Sequence, residues 1–353
     1  MNAFKFGTLV KGDFFTDRER ETEEIKYKLD SENHIILISP RRYGKSSLVS
    51  KCLSELDRPF IWLDLQYVLS VNDFAAQLLK VILNTFTYER IKYELSHFRI
   101  IPTLTTNPLT NDWQVGFQPT ADTTVLLEDV VQLLEKVSKP NKRLIVVLDE
   151  FQEIKNIGKQ FDRQLRSIMQ HQEGLNYIFL GSQESMMQEI FEQKKSHFYH
   201  FGQLMRLDKI PYDDFYRFVF DRLPAVRFKD ELVKEILTFS NCHPYYTQQL
   251  SAIVWEKITY ENLQQDIVEN AIQSIVDAHA LDYERLWNSF NRTDRGVLLQ
   301  LTGSNKPLQN RSIATSTIFS SLKRLQHNSL VIRTDSGYQL EDPFFRQWLI
   351  QVQ

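Results

Sequence analysis

Residues 39–47 read Ser39-Pro40-Arg41-Arg42-Tyr43-Gly44-Lys45-Ser46-Ser47 and follow directly on the apolar run Ile35-Ile36-Leu37-Ile38. A helix-like stretch from Leu48 to Leu56 comes next. A buried strand, a tight loop ending in Gly-Lys-Ser and then a helix is the arrangement that cradles a nucleoside triphosphate. A lysine at a helix start faces the positive end of the helix dipole, so Lys45 is unfavourable there unless an anion is bound. The free backbone N–H groups of that end point at the same anion. Lys45 would reach the β- and γ-phosphates of ATP, and the Ser46 hydroxyl would ligate Mg²⁺. The pattern G-x-x-x-x-G-K-[ST] would put glycine where this chain has Ser39. If that position requires positive φ, serine costs on the order of 1 kcal/mol there, and otherwise it is neutral.

A second cluster lies about a hundred residues on. Leu144-Ile145-Val146-Val147-Leu148 is an uninterrupted apolar run, as expected of a strand buried on both faces of a parallel sheet, and it ends in Asp149-Glu150. Two adjacent carboxylates at the mouth of a buried strand are costly unless something pairs with them. Ligands of open α/β sheets bind at the carboxyl ends of the strands. Asp149 is therefore expected in the Mg²⁺ shell, and Glu150 is expected to orient and deprotonate the attacking water.

The elements that must position these groups alternate. A second strand, Phe60–Leu65, follows the phosphate-loop helix, and residues 72–97 have helical character. Ile100–Pro119 alternates apolar and polar residues around two turn signals and predicts a hairpin insertion. A helix over Val125–Val137, the strand ending in Asp149, a helix over Phe161–His171 and a strand over Tyr177–Leu180 follow. A fifth strand includes Leu204–Leu207. Such alternation predicts a parallel sheet covered on both faces. From Asp213 to Phe290 the pattern is helical throughout, over 213–222, 229–240, 244–260 and 264–288. Beyond Asn291, a helix (293–301), a Gly-Ser-Asn-Lys-Pro loop, a second helix (315–328) and a hairpin around Asp335-Ser336-Gly337 predict a winged helix-turn-helix, closed by an aromatic helix.

Composition sets the bounds. The chain has 353 residues, 42% of them hydrophobic, enough for two or three domains with real cores. Its net charge of −3 excludes a globally basic nucleic-acid binder. Two distant cysteines, Cys52 and Cys242, indicate reduced, intracellular usage. No apolar run reaches the ~20 residues of a membrane span, and no signal-peptide core opens the chain, so a cytoplasmic protein without membrane contact is expected.

Several short blocks resemble a known family when read in order: Phe4-Lys5-Phe6-Gly7, Phe15-Thr16-Asp17-Arg18-Glu19, the 40–47 loop, Leu148–Glu153, Leu180-Gly181-Ser182, His243-Pro244-Tyr245-Tyr246 and Glu341-Asp342-Pro343-Phe344-Phe345. The chain is similar over essentially its whole length to the archaeal-type predicted ATPases, AAA+-related P-loop proteins close to the STAND signalling ATPases. The resemblance implies an α/β P-loop NTPase sheet in strand order 5-1-4-3-2 (residues 1–222), a helical lid (223–290) and a winged helix (291–353). It also implies that Arg18 lies beside the nucleotide and that Ser182 and Gln183 sense the γ-phosphate or attacking water. His243 and Pro244 would touch the nucleotide from the lid. On local sequence alone Arg18 reads as a solvated helix start, Ser182-Gln183 as a turn cap and His243-Pro244 as an ordinary helix start. One departure concerns charge sensing. Relatives often carry Phe-Tyr-Gly-Arg before the fifth strand, where this chain has Phe198-Tyr199-His200-Phe201-Gly202. His200 is a weaker cation, and Arg166 and Arg206 are the substitutes to consider.

The expectation is an ATP- and Mg²⁺-dependent P-loop ATPase, slow because it lacks that arginine, acting as a nucleotide-dependent switch between ATP and ADP. An oligomeric remodelling motor and a DNA-binding or scaffold protein with a structural nucleotide are the alternatives. Residues 291–353 carry a net charge of +4 against −7 for the remainder. Ser316, Thr317, Ser320 and Arg324 of the second helix, Arg311 and the wing's Arg333 could meet duplex DNA, although packing against a protein partner fits the modest charge as well.

Overall fold

The computed structural model describes all residues except 1, 11, 32, 111, 119, 120, 304–314, 335, 336 and 353. The chain divides into two units, each with its own core. The first comprises residues 18–40 and 45–207; the second comprises 1–17, 41–44 and 208–353.

The first unit is built on apolar strands. Its strands are β1 (Ile35–Ile38), β2 (Phe60–Asp64), β3 (Thr103–Thr106), β4 (Trp113–Gly116), β5 (Leu144–Asp149), β6 (Leu175–Gly181) and β7 (Gln203–Arg206). Its helices are α1 (Glu19–Asp30), α2 (Lys45–Glu55), α3 (Val71–Thr85), α4 (Tyr88–Leu95), α5 (Thr123–Val137), α6 (Ile154–Ile157), α7 (Phe161–Met169) and α8 (Glu184–Phe191). Every residue of β1, β5 and β6 is buried. Strands with no polar face need cover on both sides, and connecting helices supply it in a parallel sheet. The sheet runs β2-β5-β6-β1-β7 with every pairing parallel. Counting only these five strands along the chain, that is the order 5-1-4-3-2 expected from the resemblance. All five chains leave the sheet at one end, where Ser39, Asp64, Asp149 and Ser182 follow or finish their strands.

The helix expected over 72–97 is two helices. Phe86, extended and 8% exposed, breaks it, and Thr87 precedes α4. The run Thr85-Phe86-Thr87 holds two β-branched residues with reduced helix propensity, and the break lets Phe86 pack under the Arg90 guanidinium, 4.7 Å from its ring. The expected hairpin insertion is β3–β4, antiparallel, with Leu104, Trp113 and Val115 packed on the core and Trp113 stacked on Tyr88 at 5.3 Å.

The second unit is helical: α9 (Tyr212–Arg222), α10 (Lys229–Ser240), α11 (Pro244–Thr259), α12 (Ile267–Ser289), α13 (Arg292–Gly303), α14 (Thr315–His327) and α15 (Pro343–Gln351), with one hairpin, β8 (Val331–Thr334) and β9 (Gly337–Leu340). The N-terminal strap belongs to it. The Asn2 side chain donates to the Ala252 carbonyl (3.0 Å) and the Lys5 N–H donates to Gln248 Oε1 (3.3 Å) on α11. Helix α13, helix α14 and the β8–β9 hairpin reproduce the order expected at the C-terminus. Lys306, Arg311 and the Asp335-Ser336 turn lie outside the described residues.

Arg324 is half-exposed, as expected of an outward-facing residue, and is also paired within the fold. It reaches across to Asp294 of α13, with Nη2 2.6 Å and Nε 3.4 Å from the carboxylate oxygens. Asp294 is 6% exposed and also accepts from Ser321 Oγ and from Asn291 Nδ2 (2.7 Å). The pair ties α14 to α13. Arg324→Ala should therefore lower stability by about 1–3 kcal/mol, since a buried carboxylate would lose its charged donor. Thermal melts check this, and an unchanged Tm would contradict the structural role.

Candidate nucleotide site

The loop after β1 settles the Ser39 question. Ser39 is not among the residues with positive φ, whereas Arg42 (φ 66°) and Gly44 (φ 88°) are. The left-handed turn that the glycine pattern demands is made by Arg42 and Gly44, so serine at 39 is not strained. Gly44 is the residue that the backbone requires, because a side chain there would be strained whatever space surrounds it. Ser39 is fully buried and its N–H donates to the Gly181 carbonyl (3.3 Å), which ties the start of the loop to the end of β6.

Helix α2 begins at Lys45 with no acidic residue in its first turn. The positive end of its dipole, with its N–H groups directed along the axis, suits an anion. Lys45 is 6% exposed, and its ammonium points into the loop, donating to the Ser39 (3.1 Å) and Pro40 (3.3 Å) carbonyls. Ser46 Oγ donates to Asp149 Oδ2 at 3.1 Å. A hydroxyl and a carboxylate oxygen in contact at the head of a phosphate loop suit Mg²⁺, which takes hard oxygens and binds through one or two protein groups plus phosphates. Among the described residues no cluster of three or more His, Cys, Asp or Glu could form an all-protein metal cage. Burial pushes the Asp149 carboxyl up, its N–H bond from Glu150 and the nearby Lys45 pull it down, and the Glu150 charge adds to the rise.

Glu150 sits in the left-handed region (φ 49°), turned off the strand axis. Its Oε2 accepts from Ser182 Oγ at 2.7 Å and from Gln152 Nε2. The structure thus brings together four expected residues, Ser46, Asp149, Glu150 and Ser182, from two strand ends and one helix. Gln183 follows Ser182 at the start of α8, and among the described residues its buried Oε1 has no hydrogen-bond partner. Two groups escaped the sequence reading. Gln152, 1% exposed, is the second donor on Glu150. Asp64 ends β2 in register with Asp149, and burial pushes its carboxyl up, against its bond from the Gln66 N–H, with the Glu150 charge adding. A strand run ending in a carboxylate, as β2 does, was the available signal for Asp64.

The remaining candidates separate cleanly. Arg18 is 3% exposed and bound to Glu21 at 2.7 Å, so it is not a solvated helix start. Arg41 is exposed and Ser47 is buried in the first turn of α2. Arg166 lies over the Phe201 ring (4.0 Å) and acts on His34, the residue before β1. Burial, reinforced by Arg166, holds that histidine at a pKa of about 4. That is the amino end of the sheet, opposite the phosphate loop. His200 precedes β7 at the same end and is exposed. Only Arg206 of the three stands at the carboxyl end, paired in register with Ile38, and there it is engaged by Glu192 (2.8 Å) and Glu184 (3.9 Å).

In the second unit, His243 caps α11 with its side chain and Pro244 takes the first helical position. The loop tip 41–44 groups with this unit: the Arg42 guanidinium lies 4.4 Å over Tyr245, and the Tyr43 ring meets His243 edge-on at 4.8 Å.

Comparison with known proteins agrees with this geometry. No curated protein matches the chain. The chain is similar in fold to the Walker-type ATPase PABY2304 of Pyrococcus abyssi, with 16% identity, TM-score 0.67 and coverage of 96% of this chain and 97% of that one. It is also similar to the ORC2 protein of Aeropyrum pernix in its ADPNP–ADP complexes, with 13% identity, TM-score 0.56 and coverage of 99% and 98%. A family model described as an ATPase domain predominantly from Archaea matches residues 15–250. With its strand order, its phosphate loop and that match over most of its length, the chain belongs to this family of archaeal-type P-loop ATPases.

Proposed function

We propose that the chain binds ATP with Mg²⁺ at residues 39–47 and hydrolyses it slowly, so that ATP and ADP states act as a switch read by a partner through the C-terminal helices. The observation that carries this reading is the convergence of Ser46, Asp149, Glu150 and Ser182 at one end of the sheet. Ser46 and Asp149 would hold Mg²⁺, which when bound would supply positive charge against that developing on the phosphates. Lys45 would exchange its two carbonyl contacts for phosphate oxygens. Glu150 would accept the proton of the attacking water, and Ser182 would orient Glu150 or the γ-phosphate.

Slowness follows from the cations. Arg166 and His200 stand at the wrong end of the sheet, and Arg206 is held by two glutamates. A chain without an arginine at the transferring phosphate forgoes about 10³–10⁵ in rate. The test separates switch from assembled motor. The hydrolysis rate per chain should stay constant as protein concentration rises from nanomolar to tens of micromolar. A steep rise with concentration would mean a neighbouring copy supplies the missing charge, and the motor reading would replace this one. The C-terminal partner is a protein in this reading: the positive charge of residues 291–353 is modest, and part of Arg324's is offset by Asp294.

A further inference from the structure

The second unit contains a polar cluster that the hydrolytic chemistry does not use. His243 is 2% exposed, and its two ring nitrogens have distinct jobs. Nδ1 lies 3.2 Å from the Tyr245 N and 3.5 Å from the Tyr246 N, as the cap of α11. Backbone amides can only donate, so Nδ1 is unprotonated and the ring proton sits on Nε2. Nε2–H then donates to Glu341 Oε1, 3.0 Å away. Burial favours the neutral ring, against the pull of Glu341. Glu341 lies directly after β9, at the start of the turn into α15, and its other oxygen, Oε2, is buried with no hydrogen-bond partner. The Lys209 ammonium also acts on Glu341 and on His243, so the carboxylate has a cation beside it and, among the described residues, one oxygen without a hydrogen bond.

The same histidine ring supports the phosphate loop. Its edge meets Tyr43, 5% exposed, at 4.8 Å, and it is tilted on Tyr246 at 4.4 Å. Tyr43 stands between Arg42 and Gly44, the two left-handed residues of the loop. A non-glycine residue in that conformation must be held by its surroundings. Arg42 is held by stacking on Tyr245 and by donating to the Tyr246 hydroxyl (3.5 Å). Tyr43 is held by His243. The orientation of His243 is in turn set by Glu341, 98 residues further along the chain.

We propose that Glu341 is a positioning residue for nucleotide binding: it fixes the His243 ring, which fixes Tyr43 and with it the conformation of the phosphate loop. The inference rests on the reading that residues 39–47 bind nucleotide. It makes the turn between the C-terminal hairpin and α15 a determinant of nucleotide affinity without itself touching nucleotide.

The test uses the full chain with ADP–Mg²⁺ as the probe, comparing wild type, Glu341→Gln and Glu341→Leu. Glutamine keeps an acceptor for Nε2–H, so ADP affinity by calorimetry should stay within about twofold of wild type. Leucine removes the acceptor, and affinity should fall about tenfold, the equivalent of about 1.4 kcal/mol. The ¹⁵N resonance of His243 Nε2 should shift in the leucine variant and not in the glutamine variant, a signature that general loss of stability would not produce. If Glu341→Leu fails to fold, His243→Asn keeps a capping side chain on α11 but cannot reach Tyr43, and it should show the same tenfold loss. A leucine or asparagine variant that folds and binds ADP as wild type does would overturn the proposal. A wild type that does not bind ADP would instead sink the nucleotide reading itself.

Discussion

Lys45→Ala should reduce ATP affinity by about 2–5 kcal/mol, roughly 30- to 4,000-fold, while leaving the fold intact. The loss is large because the Lys45 ammonium is 6% exposed and is aimed into the loop, where it donates to the Ser39 and Pro40 carbonyls. A buried cation facing phosphates is not replaced by water once it is removed. Stability should change little, because the variant removes a positive charge from the positive end of α2, which offsets the lost hydrogen bonds to the Ser39 and Pro40 carbonyls. Calorimetric titration with ATP–Mg²⁺ reads the first expectation and thermal melting the second. Affinity within about threefold of wild type would place the nucleotide elsewhere.

Glu150→Gln should do the reverse, retaining ATP and losing turnover. Glutamine keeps the shape of the side chain and still accepts from Ser182 Oγ and Gln152 Nε2, the two donors on Glu150 Oε2. It cannot take a proton from water. General-base contributions of about 10²–10⁴ in rate set the size of the loss. Because Asp149 holds Ser46 through its own oxygen, the Mg²⁺ ligands should be untouched and ATP affinity should remain within about twofold. A variant that lost ATP affinity together with turnover would assign Glu150 to binding rather than to proton transfer.

Much of this site could be read from the sequence because its strands are apolar on both faces. Ile35–Ile38 and Leu144–Leu148 admit no register in which a polar side is exposed, so the residues after them must lie at a strand end. The parts that could not be read all depend on partners distant in the chain. Asp64 joins the site only because β2 pairs with β5 across 85 residues, aligning Asp64 with Asp149. A charge count is also blind to Asp294, 30 residues earlier, which pairs with Arg324. Arg18 stands among Asp17, Glu19, Arg20 and Glu21, a surface-like neighbourhood, yet its own side chain is turned inward. The cost expected for Ser39 did not arise because the loop makes its left-handed turn at Arg42 and Gly44. No local propensity announces an arginine at φ 66°; the packing of Tyr245 and Tyr246 on its guanidinium accounts for it.

Single-turnover hydrolysis of prebound ATP–Mg²⁺, wild type beside Glu150→Gln at equal occupancy, bears most directly on whether this chain is a slow ATPase built on Ser46, Asp149, Glu150 and Ser182. We expect wild type to release phosphate at no more than about 10⁻² s⁻¹, the range of P-loop proteins that lack an arginine in trans, and the glutamine variant to release at least about a hundredfold less. Equal rates in the two proteins, or wild-type turnover above about 1 s⁻¹, would contradict it.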